Sequence, residues 1–235
     1  MHILSKSFRS FLRGNAPAPV AILLAVLAFL VPPPAQAGNQ EDALAAARRG
    51  NGATLSKLLG NGAVSPDTVD MEGNSLLILA VRDGHIEATK AVLRFRPQVD
   101  HRNRVGDSAL MIAASMGNME LLDMLLVNGA RTNLHDEENN WTALHYAAFE
   151  GRLPALERLL AAGADINALT PNLSDALMLA ARNGHIDIVQ RLLQTPIDLN
   201  RRNDRGVNAE EWARSKGNTR IADLIAKAHA TRTRR

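Results

Sequence analysis

Cysteine is absent from all 235 residues of the chain. The protein therefore forms no disulfide, offers no thiolate to a metal and has no cysteine for a lipid anchor. An oxidising compartment permits disulfides without requiring them, so the absence does not by itself assign a compartment. Whatever fold the chain adopts must be stable through packing alone.

Aromatic residues are also scarce, at 3% of the sequence. The core must then be filled mainly by Leu, Ala, Ile and Val. Strands favour β-branched and aromatic residues, whereas small aliphatic side chains suit helices that pack closely. The composition therefore predicts an all-α fold.

No acidic residue precedes Glu41, and the same segment carries Lys6, Arg9 and Arg13 near its start. An uncharged apolar run follows at 20–31. Its twelve residues are too few for an ordinary membrane-spanning helix, which needs about 20. A positive start followed by a short apolar run is typical of a secretory signal peptide.

Ala35-Gln36-Ala37 supplies the small residues that a signal peptidase recognises, so we expect cleavage after Ala37. The prediction is a bacterial-type signal peptide at 1–37, the general secretory route, and a periplasmic or secreted mature protein. An uncleaved anchor is the alternative. After cleavage we expect no membrane association.

The formal charge of +3 arises from the predicted signal peptide. Without its three basic residues, 24 basic and 24 acidic residues remain. A balanced chain lacks the basic surface that nucleic acid requires, so we expect no nucleic-acid partner.

Glycine marks an internal repeat with a period of 33 or 34 residues. At least one of the two residues before each glycine is polar, and an apolar pair comes seven or eight residues after it. The glycines are Gly50, Gly84, Gly117, Gly151, Gly184 and Gly217.

Each repeat is predicted to form two short helices. In the fifth, Leu177, Ala180 and Ala181 fall on one helical face, and Gly184 is suited to end that helix. A second apolar stripe follows at 186–193. Neither helix would be stable alone, but stacked neighbours can share a continuous core.

The fourth repeat contains Trp141-Thr142-Ala143-Leu144-His145-Tyr146-Ala147-Ala148, and Gly163-Ala164-Asp165-Ile166-Asn167 forms the turn that follows. Together with the period, these segments resemble the ankyrin repeat. The resemblance implies a solenoid of about six helix-turn-helix units joined by β-turn fingers and capped at both ends. The chain also resembles small exported ankyrin proteins of Gram-negative bacteria. For that group the implied roles are stress defence and neutralisation of toxic effectors.

We place the repeat domain at 38–230 and expect 231–235 to be a frayed basic tail. In the last unit the polar residues Glu210 and Glu211 stand in place of the usual Leu-His, as a capping repeat requires. The expected units are 41–67, 68–100, 101–134, 135–167, 168–200 and 201–228.

In ankyrin-like folds partners usually contact the fingers and the exposed side of the first helix in each unit. By position, this concave face predicts a protein-binding surface for one protein partner. Its candidate residues are Met71, Leu79, Arg82, Arg104, Ile112, Met116, Glu138, Trp141, Tyr146, Phe149, Arg182 and Arg205.

Trp141, Tyr146 and Phe149 fall within nine residues, and the remaining mature chain holds only two other aromatics. Trp and Tyr are enriched among residues that dominate binding interfaces. The alternative is that these rings simply pack the turn and helix. Basic fingers at 101–104 and 201–205 flank an acidic one at 136–138, which could set a docking register or could be solvated turns.

The sequence offers little for catalysis: we find no nucleophile-elbow motif and no phosphate-binding glycine loop. His85, His145 and His185 recur at repeat positions, which favours structural hydrogen bonds. His101 and His135 lie in successive turns near acids, so a metal site remains an alternative.

The preferred hypothesis is a monomeric, non-catalytic exported protein without cofactors that binds a protein partner. A structural scaffold without a selective face is the second hypothesis, and a hydrolase or metal-dependent enzyme is the third.

Overall fold

A computed structural model describes residues 34–233 as an all-α fold of twelve helices without named strands. The helix pairs form one unit that begins at Asp42. The helices are α1 (Pro34–Arg48), α2 (Gly52–Gly60), α3 (Leu76–Arg82), α4 (Ile86–Leu93), α5 (Ala109–Met116), α6 (Met119–Val127), α7 (Ala143–Phe149), α8 (Leu153–Ala161), α9 (Ala176–Asn183), α10 (Ile186–Leu192), α11 (Ala209–Ser215) and α12 (Thr219–Thr233). They make six successive pairs, which confirms the predicted solenoid of helix-turn-helix units.

The predicted signal peptide lies mostly outside the described residues. Its last four residues, 34–37, belong to the start of α1. The cleavage expected after Ala37 therefore falls within that helix and stays a prediction. Among residues 34–233, none of the helices has both the length and the apolar character needed to cross a bilayer.

A polar residue begins the first helix of each unit from the second onward. Its side chain accepts a hydrogen bond from the backbone amide three residues later, which satisfies one of the free amides at the helix start. These N-caps are Ser75, Ser108, Thr142, Asp175 and Asn208. The prediction that Gly184 ends a helix is confirmed, since it follows α9 with φ of +87°.

First helices pack against first helices of neighbouring units, and second helices pack against second helices. Alanine at the centre of each first helix lets these helices approach closely, as at Ala113, Ala147 and Ala180, all fully buried. Leucine fills the second layer, for example Leu125 and Leu159, which are also fully buried. The core is therefore continuous along the stack, as the apolar stripes of the repeat predicted, and it is filled by aliphatic side chains, as the low aromatic content predicted.

Five fingers precede the first helices: finger 1 (69–75), finger 2 (102–108), finger 3 (135–142), finger 4 (169–175) and finger 5 (202–208). Backbone hydrogen bonds join neighbouring fingers 1 to 3, from the Arg104 amide to Glu72 O and from the Glu137 amide to Val105 O. Fingers 2 and 3 approach so closely that a Cβ on Gly106 would overlap the Glu137 amide nitrogen.

Fingers 4 and 5 are joined in the same way, by the Asp204 amide and Asn172 O at 3.0 Å. Within the described chain, fingers 3 and 4 share no backbone hydrogen bond. Pro171 occupies the donor position in finger 4, and proline has no N–H to give. The fingers thus form two hydrogen-bonded sets, 1–3 and 4–5.

The C-terminus corrects one expectation. Residues 231–233 are not frayed, because α12 continues to Thr233. The Arg232 guanidinium donates to Leu193 O, Thr195 O and Ile197 O at 2.8, 2.7 and 2.6 Å. These carbonyls lie at or just beyond the end of α10, where a cation is favoured by the helix dipole.

Candidate protein-binding face

The fingers and first helices present most of the exposed large apolar side chains. Six such side chains occur among the described residues, and Val127, at the end of a second helix, is the exception. The five on fingers or first helices are Val69, Met71, Val105, Met116 and Leu173. We call the surface formed by fingers 1–5 and the first helices the finger face.

An aromatic cluster lies at the centre of the finger face. The Trp141 ring is 5.2 Å from the Tyr146 ring and 5.0 Å from the Phe149 ring, centroid to centroid, at steep angles. Such tilted pairs add about 0.5–1.5 kcal/mol each beyond the area they bury. All three rings are half-buried, so they pack against one another and still present surface to a partner.

Beneath this cluster the Tyr146 hydroxyl faces two carboxylates. It lies 3.0 Å from Asp136 Oδ2 and 3.4 Å from Asp107 Oδ1, and it donates its single proton between them. Burial, and then the negative charge of Asp136, raise the pKa of Asp107. Burial and the same two carboxylates raise the pKa of Tyr146, so the phenol stays protonated.

Asp136 also organises finger 3. Its carboxylate accepts from the amides of Asn139 and Trp141, and it is only 3% exposed. The backbone bends through Asn140 at φ of +52°, a conformation that asparagine tolerates. The turn therefore holds Trp141 at the place where its ring meets α7.

The neighbouring fingers are tied by a chain of amide side chains. Asn103 Nδ2 donates to Asn74 Oδ1 at 3.0 Å, and Asn74 Nδ2 donates to Asp70. Arg82 also donates to Asn74 Oδ1, and its guanidinium lies 4.0 Å from Glu72. Arg82 is thus oriented within the face rather than free in solvent.

The structure places most of the predicted binding residues at the surface. Met71 is 87% exposed and Met116 is 38% exposed, and Arg82, Arg104, Glu138 and Arg205 are also exposed. Ile112 and Arg182 are half-buried, as are the three aromatic residues.

Leu79 is a correction. It is only 2% exposed and belongs to the hydrophobic core. Leu79 holds the helix position that Tyr146 holds in α7, where the larger tyrosine side chain is only half-buried. Leucine at that place stays inside.

A second group of predicted residues meets at the far end of the finger face. Arg182 and Arg205 line one cavity together with Trp212 and Lys216. The Arg182 guanidinium carbon lies 5.2 Å from the centre of the Trp212 ring, within the range of a cation–π contact. Trp212 and Lys216 were missed as site residues because the binding candidates of the last unit were taken from its finger alone, and residues 208–213 were interpreted as a cap.

Asp136 was missed for a different reason. In the sequence Asp136 stands beside the acidic residues Glu137 and Glu138, which are exposed, whereas its own carboxylate is buried. One signal was available: the same position holds a residue with a hydrogen-bonding side chain in each of the five fingers. These residues are Asp70, Asn103, Asp136, Thr170 and Asn203.

The histidines serve as ties between units. His85 Nε2 contacts Arg48 O, His185 Nε2 contacts Phe149 O, and His145 Nε2 contacts Ala168 O, at 2.8–3.0 Å. Burial lowers the pKa of His145 to about 4, so the ring is neutral at pH 7. The prediction of structural hydrogen bonds for these three is confirmed.

His101 and His135 do not converge on a common ligand. His101 Nε2 lies 2.7 Å from Gly73 O, and His135 Nδ1 lies 3.0 Å from Asn140 O. Across the part of the chain that the structure describes, no three His, Asp or Glu side chains are grouped to hold a metal ion.

The chain is similar to many proteins that contain such repeats. It is 29% identical over 161 residues to an ankyrin repeat and KH domain-containing protein of Caenorhabditis elegans, over 68% of this chain and 6% of that protein. An ARF GTPase-activating protein of Drosophila melanogaster is 42% identical over 82 residues, 35% of this chain and 11% of that protein. An ankyrin repeat protein of fowlpox virus is 28% identical over 66% of this chain and 48% of its own length.

This chain therefore spans less than half the length of these three relatives. Models of ankyrin repeats match residues 43–136, 95–170 and 159–209. These matches run from the first helix pair to the first residue of α11, and the chain belongs to the ankyrin-repeat family.

Proposed function

We propose that this protein binds a protein partner through the finger face and does not catalyse a reaction. The observation that carries the proposal is the distribution of exposed apolar side chains. Five of the six large ones in the described chain lie on fingers or first helices, next to the half-exposed aromatic cluster of Trp141. Aromatic residues and Met are enriched where proteins bind one another.

The relatives support a binding module rather than one shared reaction. An ARF GTPase-activating protein and a KH domain-containing protein differ in their named roles, and each matches this chain over a small part of its length. A segment that recurs in such different proteins fits recognition better than chemistry, because function lies in the site and not in the fold.

We also propose that the protein is exported, as the basic start and the short apolar run at 20–31 favour. A bacterial host, a periplasmic or secreted location, and a monomeric state belong to the same proposal. Expression of a C-terminally tagged chain, followed by fractionation and N-terminal sequencing, tests it. Export with a new N-terminus at Gly38 is the expected result, and a full-length chain in the cytosol would contradict it.

Binding is tested by capture on immobilised residues 38–235. Extract from the source cell is applied beside a variant with Trp141→Ala, Phe149→Ala and Arg104→Glu. A matched control carries Val127→Ala, Gln190→Ala and Arg94→Glu, all on the second-helix side. We expect one protein to be retained by the unchanged chain and the control and lost by the finger-face variant.

Equal retention by all three chains would favour the second candidate, a structural scaffold without a selective face. Circular dichroism of each variant shows whether it is folded, so that loss of retention is not confused with unfolding. The role of the partner, in stress defence or in neutralising an effector, follows from its identity.

A further inference from the structure

A cavity of about 480 Å³ lies between fingers 4 and 5 and the ends of α9 and α11. Its size is within the range of about 300–1,000 Å³ that is usual for ligand pockets. It is lined by Arg182, Arg205, Lys216, Trp212, Glu211 and Asn172, among others.

The cavity carries an excess of positive charge. Arg182, Arg205 and Lys216 form no ion pair within the described residues, whereas thirteen other pairs are present there. Three cations that share one cavity without neutralising acids create a potential that attracts anions.

The single acid in the lining does not cancel this charge. Both terminal nitrogens of the Arg202 guanidinium donate to the Glu211 carboxylate, at 2.9 and 3.2 Å. The Asn208 amide donates to the same carboxylate. Arg202 is the main reason why the pKa of Glu211 lies below its usual range, so Glu211 is ionised and already paired.

One wall of the cavity is formed by the Trp212 ring. The Trp212 ring is half-buried, and Arg182 lies over it at 5.2 Å. Because Arg182 is held against the ring, its guanidinium is oriented before a ligand arrives, which lowers the entropic cost of binding. A ligand here meets both a flat hydrophobic surface and a preoriented cation.

The geometry favours spaced carboxylates over a phosphate. Phosphate groups usually bind at helix N-termini, where free amides converge. Here Arg182 lies in the last turn of α9, and Lys216 is the C-cap of α11, so neither cation stands at a helix N-terminus. The cations are separate side chains from two helices and a finger, which suits several monoanionic groups along a chain.

We propose that this cavity binds an acidic peptide segment of the partner, with Arg182, Arg205 and Lys216 pairing with its Asp or Glu side chains and Trp212 packing on its aliphatic atoms. The inference rests on the proposed function, that the finger face binds a protein, and it adds the chemistry of one part of that partner. Arg182 and Arg205 were candidates from sequence, and the cavity unites them with Trp212 and Lys216.

The experiment uses the indole N–H signals of the ¹⁵N-labelled chain 38–235. The protein has only two tryptophans, so Trp141 and Trp212 give two signals, which a Trp141→Phe variant assigns. The chain is titrated with acetylated, amidated tetraglutamate, with tetralysine and with inorganic phosphate. A dilution series without peptide reports on self-association.

We expect tetraglutamate to shift the Trp212 signal in a saturable way and to leave Trp141 unmoved. Arg205→Glu with Lys216→Glu should weaken this binding at least tenfold. The control pair Arg94→Glu with Arg220→Glu makes the same change in net charge at exposed sites outside the cavity and should bind as the unchanged chain does.

The proposal is overturned if both variants bind alike, if tetralysine moves Trp212 equally, or if tetraglutamate moves neither signal. Movement of Trp212 by phosphate but not by tetraglutamate would make it a phosphate site, and movement with protein concentration alone would make the occupant a second copy. A partner captured through Trp141 that ignores Arg205→Glu with Lys216→Glu would sink this inference and leave the proposed function standing.

Discussion

Fingers 1–3 and fingers 4–5 are built from the same repeat but differ in how they are joined and charged. Fingers 1–3 share backbone hydrogen bonds and surround the Asp107–Asp136 pair beneath Trp141. Fingers 4–5 share their own bond and border a basic cavity beside Trp212. Pro171 in finger 4 has no N–H, so within the described chain fingers 3 and 4 share no backbone hydrogen bond.

The repeat therefore determines the framework, while a few finger residues determine its surface. Every unit has a helix pair, and a polar N-cap begins each first helix from the second unit onward. Pro171 divides the finger face into two halves: an acidic half with the Asp107–Asp136 pair beneath Trp141, which also carries Arg102 and Arg104 in finger 2, and a basic half with the cavity beside Trp212. A partner that covers both halves would need complementary charges at its two ends.

The largest expected effect comes from removing the basic half. A chain that stops after Asn200 loses α11 and α12 and exposes the apolar side of the fifth unit, including Leu177 and Val189, both buried now. Since each unit is stabilised by its neighbours, we expect aggregation or unfolding of that unit while the first units stay helical.

Analytical ultracentrifugation and thermal unfolding check this result. The loss should include the Arg232 contacts that hold the end of α10. A monomeric truncated chain with an unchanged melting temperature would show that the last unit does not support its neighbour.

His145 in α7 makes the stability of the protein depend on pH. His145 has a folded pKa of about 4, below its ordinary 6.5, because the core disfavours the cation. The unfolded chain therefore takes up a proton first as the pH falls. The stability associated with neutral His145 is complete above pH 6.5 and is lost between 6.5 and 4, by about 3 kcal/mol.

Asp175, the N-cap of α9, changes the stability in the opposite direction as the pH falls. Burial raises its pKa to about 6 from an ordinary 3.8. The folded chain takes up this proton first, so stability is gained as the pH falls from 6 to 3.8, again by about 3 kcal/mol. The two groups largely cancel one another between pH 6 and 4.

Asp175→Asn should reveal the effect of His145, because asparagine keeps the N-cap and removes the titration. The free energy of unfolding of the variant minus that of the unchanged chain should fall by about 3 kcal/mol as the pH is lowered from 7 to 4. Urea unfolding at several pH values measures it. A constant difference across that range would mean that Asp175 titrates normally.

A smaller effect tests the acidic half. Tyr146→Phe removes the hydroxyl that donates between Asp136 and Asp107, at a cost of about 1–2 kcal/mol for the buried acceptors left without it. Because the Tyr146 hydrogen bond lowers the pKa of Asp107, that pKa should rise further in the variant. Carbon-detected NMR titration of the carboxyl groups follows it, and an unchanged Asp107 pKa would refute the role of the hydroxyl.

The smallest effect concerns the turn of finger 4. Leu173 has φ of +60°, where fingers 1, 2 and 5 have glycine. Leucine is strained in that conformation, so Leu173→Gly should stabilise the protein by about 0.5–1 kcal/mol. Gly206→Leu in finger 5 is the matched inverse, since open space surrounds Gly206. Thermal unfolding should shift in opposite directions for the two variants.

Much of the fold could be predicted from sequence because its rules are local. The N-caps and the apolar stripes recur every 33 or 34 residues, and Gly184 ends α9 as the glycine pattern indicates. The exposure of Leu79 could not be read this way, since burial depends on the neighbouring helix. The contacts of Arg232 were missed because its acceptors lie about 35 residues away.

The site was partly predictable for the same reason. The aromatic group at 141–149 is contiguous in sequence, and the structure brings its rings together. The division of the fingers depends on which backbone amide donates to which carbonyl of the neighbouring finger. The sequence does not show these pairs, so the effect of Pro171 could be recognised only from the structure. The basic cavity combines side chains of two units, which no single repeat reveals.

Site-specific crosslinking in the source cell tests the central claim most directly. A photoreactive phenylalanine analogue replaces either Met116, on the finger face, or Val127, on the second-helix side, both exposed apolar positions. We predict a discrete crosslinked protein from position 116 and none from position 127. Equal products from both positions, or a product from 127 alone, would contradict binding through the finger face.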